Sequence, residues 1–159
     1  MSDEVLREQL LELLQGGHAH MDVDEAVSDF PLEAMNETAP NVSYTPWELL
    51  EHIRIAQWDI LAFIQDPAHV SPDWPEGYWP EEGERATEKA WEKTVAQIRS
   101  DREALVELVR DPETNLTAPI PHAPAYSVVR EVLIVADHAA FHLGEFALMR
   151  EVMDTWPAD

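Results

Sequence analysis

The sequence predicts an all-α fold, a four-helix bundle with long crossover connections, and three observations carry that prediction. Four segments repeat apolar residues at spacings of three and four, the period of a helix with one buried face. No segment alternates apolar and polar residues as a half-buried strand does. The 159 residues, 45% of them hydrophobic, suit one domain, taken as residues 1–159, with a core large enough to fold without disulfides.

The first segment runs from about Asp3 to Asp29, with Leu6, Leu10, Leu13, Gly17 and Met21 in register. Gly16-Gly17 interrupts it, so either the helix breaks there or another backbone packs closely. The second opens on Thr45-Pro46-Trp47-Glu48, which reads as a capping box: Thr45 as N-cap, Pro46 at the first helical position, Glu48 reaching back. It runs to about Gln65, where Asp66-Pro67 stops it. The third spans roughly Glu84 to Arg110, with Trp91, Val95, Ile98, Leu105 and Leu108 on one side. The fourth, from about Ser127 to Asp154, is the most apolar.

Residues 31–44, 66–83 and 111–125 connect these segments. Each is longer than the two to eight residues or so usual between bundle helices, and long connections permit crossovers. The stretch Trp74-Pro75-Glu76-Gly77-Tyr78-Trp79-Pro80 is a stiff loop with a large apolar payload. The first reading is a plug over one end of the bundle, with a pocket wall or a dimer contact as the alternative. Because the stretch follows the second helix, the far end or a dimer contact is expected over a direct cover for residues near that helix's start.

Composition excludes several functions. With 32 acidic against 10 basic residues the formal charge is −22, and Lys89 and Lys93 are the only lysines. A nucleic-acid surface needs a basic patch to release counterions, and an anionic membrane asks for the same. Partners are therefore expected to be small molecules, cations or a second copy. Cysteine is absent, which removes disulfides, thiolate metal sites and a cysteine nucleophile. The acidic start Met1-Ser2-Asp3-Glu4 lacks the basic region of a signal peptide, and the apolar run Val132 to Ala136 is far short of a membrane span. A cytoplasmic protein is the expectation.

Seven histidines are the candidate soft ligands. His138 and His142 lie four apart on the fourth segment, so on a helix their imidazoles stand one above the other and can converge on one ion. That spacing alone is a weak signal. Their stripe also holds Glu131, Ile134 or Val135, Glu145 and Met149, a face that points inward. His52 falls in line with Leu49, Ala56, Ile60 and Phe63 on the second segment and makes a third ligand from a facing helix. Three protein ligands leave a coordination position open, the pattern of a catalytic ion. The alternative is three core histidines bonded to one another or to backbone.

His20 shares a stripe with Leu6, Leu13 and Val27 and reads as a satisfied core histidine, with ligand or supporting roles as alternatives. His18 lies on another face, and His69 and His122 fall in loops, where solvation is expected. Glu48 and Glu145 sit within about a turn of the histidines. Either can orient an imidazole or take a proton from a bound nucleophile, and Glu145 is the candidate catalytic residue. Arg102, between Ile98 and Leu105, either holds an anion or snorkels to the surface. There is no phosphate loop, nucleophile elbow or His-Glu-x-x-His. The di-iron bundle motif Glu-x-x-His fails too, since Leu49, Val135 and Ala139 stand three residues before the three histidines.

Pro46-Trp47-Glu48-Leu49-Leu50-Glu51-His52 and Asp137-His138-Ala139-Ala140-Phe141-His142-Leu143-Gly144-Glu145 together resemble the DinB superfamily, the YfiT-like metalloenzymes. The resemblance implies a bundle in up-down-down-up order, commonly dimeric. It also implies a divalent ion, zinc or nickel, on one histidine of the second helix and two of the fourth, here His52, His138 and His142. Some relatives look like S-transferases that use low-molecular-weight thiols and others like hydrolases, here of small esters or amides. Many have no known activity, which leaves a non-catalytic stress-response or interaction role as a further alternative. A bound divalent ion gives a water or thiol nucleophile at neutral pH, and without cysteine a thiolate has to come from a cosubstrate.

Overall fold

The computed structural model describes residues 2–16 and 19–158, and Gly17 and His18 lie outside them. Five helices carry the chain: α1 (Ser2–Gln15), α2 (Val23–Val27), α3 (Pro46–Gln65), α4 (Glu88–Arg110) and α5 (Val128–Val152). Single 3-10 turns lie at Leu32–Ala34 and Glu76–Tyr78. The protein is mostly helical, as the periodicity predicts.

The first segment divides in two. α1 stops at Gln15 because Gly16 takes φ +75°, a left-handed conformation that ends a helix and favours glycine. α2 then restarts on its own capping box, with Asp22 accepting from the Glu25 N–H and the Glu25 carboxylate accepting from the Asp22 N–H. The expected box opens α3: Thr45 Oγ1 accepts from the Glu48 N–H at 3.2 Å, and Glu48 Oε2 from the Thr45 N–H at 2.7 Å. α4 begins four residues later than expected, since Thr87 is its N-cap and accepts from the Ala90 N–H.

The all-α class holds, with one small addition that no alternation in the sequence signals. β1 (Pro119–Ile120) and β2 (Ala123–Ser127) form a small antiparallel hairpin, with an irregular register between Pro119 and Ile120. A two-residue strand is too short to show alternation. β2 ends on Ser127, the N-cap of α5.

α3 packs on α4 and α5, and α1 packs on the same two helices from the other side, so α1 and α3 are diagonal in cross-section. α5 is long and apolar enough, by length and composition, to cross a membrane, although the run within it that the sequence singles out is not. A core helix passes the same test, and α5 packs into the bundle through Val132, Val135, Leu143, Phe146 and Met149. Arg150 near its end is fully buried. Its guanidinium donates to the carbonyls of Ala26, Ser28 and Thr155 and lies 3.8 Å from the Trp156 ring centroid. Burial lowers its pKa, with the Asp29 charge acting in the opposite direction.

The connection after α3 corrects another expectation. It does not plug the far end of the bundle but turns back along α3 toward that helix's start. The His69 imidazole donates to Asp59 Oδ1 at 2.7 Å, and the Tyr78 hydroxyl donates to Asp59 Oδ2 at 2.6 Å. Trp79 then reaches His52, seven residues nearer the N-terminus of α3 than Asp59. The fold of this loop needs Gly77, where a Cβ would stand 2.7 Å from the Pro72 Cβ.

Candidate metal centre

The three predicted histidines meet. His52 Nε2 lies 3.1 Å from His142 Nε2 and 3.0 Å from His138 Nε2. Among the described residues they form a group able to hold an ion, with the ligand atoms all within 4.8 Å of one another. His52 is buried on α3, while His138 and His142 are half-buried on α5.

The groups behind two of the rings decide which nitrogen carries the proton. His52 Nδ1 is 2.9 Å from the Tyr78 carbonyl oxygen, and His142 Nδ1 is 2.6 Å from Glu145 Oε2. A carbonyl can only accept, and so can an ionised carboxylate; both Nδ1 atoms therefore donate. In the neutral rings this leaves a lone pair on each Nε2, and the two lone pairs face each other across 3.1 Å. Bare lone pairs at this distance are unfavourable, and a cation between them relieves the repulsion. Four tetrahedral ligands at about 2.0–2.1 Å from an ion lie roughly 3.3 Å apart, close to the two spacings from His52 Nε2. The donor set thus fits a divalent ion.

Electrostatics favours the neutral ligands. Burial lowers the His138 pKa to about 3, helped by the adjacent His142 and His52. Burial also lowers that of His52, and His142 adds to the effect, while the Tyr78 carbonyl and Glu145 work against it. A neutral imidazole is the form that binds metal.

Aromatic side chains wall the site. The Trp79 indole stacks on His52 with centroids 4.1 Å apart and planes 5° from parallel, and Tyr44 packs against Trp79 at 5.3 Å. The Tyr44 hydroxyl pKa is raised by burial and by its proximity to the Glu145 carboxylate. Phe141 lies edge-on to His142 at 4.9 Å.

Other candidates fall elsewhere. His20 is not a core histidine on a continuous stripe: the helix has ended, and its Nδ1 bonds to the Met21 carbonyl. His69 is not solvated, being paired with the buried Asp59. His122 is exposed and bonds to the Phe63 carbonyl. Glu48 is occupied by its cap. Arg102 reaches the surface, as snorkelling predicts, and there bonds to the half-exposed Asp24 beside Arg99. Burial of Asp24 opposes ionisation, but those two guanidiniums outweigh it and hold the carboxyl below its usual range. The sequence reading missed Asp59, Tyr78, Trp79 and Tyr44. Only the aromatic content of the loop signalled that something was to be covered.

A helical bundle with three imidazoles converging from two facing helices defines the class: a helical protein with a candidate tri-histidine centre. The chain belongs to the DinB superfamily, whose family model matches residues 7–146 and so takes in both helices that carry the site. No curated protein matches the chain.

Proposed function

We propose that His52, His138 and His142 hold one divalent ion, zinc or nickel, with a coordination position open, and that the protein is an enzyme acting on small molecules. The observation that carries this reading is the pair of Nε2 lone pairs facing each other, each fixed by an acceptor behind its ring. Such an ion supplies Lewis acidity, which makes a weak acid a nucleophile at neutral pH.

The chain's own residues do the rest. The Tyr78 carbonyl and Glu145 keep two imidazoles in the metal-binding tautomer, and burial keeps His138 neutral. Trp79 keeps water from one face of His52. Glu145 is engaged by His142 and lies beside Tyr44, which supports an orienting role over that of a free general base. A thiol is acidic enough to need little help from a base, whereas water needs more. This favours a low-molecular-weight-thiol-dependent S-transferase over a hydrolase.

The reading extends to a cytoplasmic homodimer without nucleic-acid or membrane partners. The charge of −22 and the exposed Phe141, Leu148 and Val152 along α5 support it. The test is metal analysis of the purified protein, followed by thiol-dependent loss of an electrophile with glutathione, mycothiol and bacillithiol. About one ion per chain is expected, falling sharply in His138→Ala together with the thiol-dependent rate. Unchanged metal content in all three histidine variants overturns the site. Metal-dependent ester or amide cleavage without thiol replaces the transferase with the hydrolase.

A further inference from the structure

We propose that Asp59 is a positioning residue for His52 and acts on it through Tyr78. The inference rests on the metal-centre reading for its binding consequence, but its geometry stands on its own. Asp59 lies on α3 seven residues beyond His52, about 10 Å along the axis, and is only 6% exposed. A buried carboxylate is costly unless its oxygens are paired. Both are paired by the returning loop, Oδ1 with His69 at 2.7 Å and Oδ2 with the Tyr78 hydroxyl at 2.6 Å.

Tyr78 is held at both of its ends. Its hydroxyl is fixed on Asp59, and its own carbonyl receives the His52 Nδ1–H at 2.9 Å. The tyrosine ring is a rigid spacer, so the place of the carbonyl follows the place of Asp59. The next residue, Trp79, lies flat on the His52 ring. The carbonyl therefore sets the tautomer and direction of the imidazole, and the indole sets its plane. His142 differs, since its acceptor Glu145 stands three residues away on the same helix. His52 is the ligand whose orientation depends on a loop, and Asp59 ties that loop down. Partners of this kind, behind a ligating histidine, typically change metal affinity about 10–100-fold when removed.

The test uses full-length protein in two arms. In the first, zinc ion is titrated against a competing chelator for wild type, Tyr78→Phe, Asp59→Ala and the double variant. Tyr78→Phe removes only the hydroxyl and keeps the carbonyl. Weakening of about 10–100-fold is expected in each single variant, with the double variant no weaker than Asp59→Ala. In the second arm, nitrogen NMR of the metal-free protein reads the imidazole tautomers. His52 should lose its fixed Nδ1–H form in Tyr78→Phe, while His142 keeps its own. An unchanged His52 tautomer in folded Tyr78→Phe, or additive losses of affinity, overturns the proposal. If wild type binds no zinc, the metal-centre reading fails and the tautomer arm alone decides the role of Asp59. If Asp59→Ala does not fold, Tyr78→Phe and Asp59→Asn decide it.

Discussion

Around the histidines the interior is rich in aromatic side chains, whereas around Leu105 it is aliphatic. The first cluster buries Phe30, Trp47, Trp91 and Phe146, with Tyr44 and Trp79 packed against it, and Phe30 stacks on Trp91 at 4.7 Å. The second buries Leu10, Leu14, Leu61, Ile64, Leu105, Val106, Val109, Val132 and Val135, and among the described residues no aromatic is fully buried there. Aliphatic packing has no direction; it contributes burial and excludes water. Flat rings with polar edges can fix an orientation, as Trp47 does by donating its indole N–H to Thr94 at 3.1 Å and Trp79 by stacking on His52. The comparison teaches that the aliphatic cluster serves stability and the aromatic one serves placement.

The largest expected effect breaks the first without touching the second. Leu105→Ala, at a fully buried position, should cost about 2–5 kcal/mol in denaturant unfolding and leave zinc affinity unchanged. Equal loss of affinity in folded protein would show that the two regions are coupled. Trp79→Ala comes next and reverses the expectation drawn from the sequence, in which the loop lay away from the histidines. Zinc affinity by calorimetry should fall about tenfold or more, the scale of a lost partner behind a ligand. Loss of stability alone would reduce the ring to packing.

Thr45→Ala should remove the α3 cap at a cost of about 1 kcal/mol, read by thermal melting, because it frees the Glu48 N–H. A further effect appears only in alkali. Burial, with the Asp59 hydrogen bond and charge, raises the Tyr78 pKa to about 12, while nearby Ser71 opposes the shift. Between pH 10 and 12 the folded chain then binds more protons than the unfolded one, so stability falls as pH rises through that window. The contribution is complete below pH 10. Tyr78→Phe should lack this alkaline step in a pH series of melts, and its persistence would assign the step to another group.

Much of the site was legible because its signals are local or periodic. Residues four apart on a helix share a face whatever surrounds them, so spacing alone pairs His138 with His142. His52 joins them because its stripe of Leu49 and Ala56 is buried. The Thr45 box was legible for the same reason, since a cap is an interaction over three residues. Asp59 carried no such signal. Its partners His69 and Tyr78 are 10 and 19 residues away in a segment without periodicity.

By itself, then, the sequence determined the mainly helical fold, the start and end of α3, and the inward faces that carry His52 and the His138–His142 pair, because each follows from backbone hydrogen bonding and the 3.6-residue period. Only the tertiary structure decided the break at Gly16, the hairpin before α5, and the return of the 66–83 loop to cover His52. It alone decided the protonation pattern as well, since whether an imidazole nitrogen is donor or lone pair depends on what stands behind the ring. The return of the loop and the protonation pattern depend on contacts between residues far apart in the chain, such as a carbonyl meeting an imidazole or a hydroxyl meeting a buried carboxylate. No local pattern in the sequence encodes such meetings.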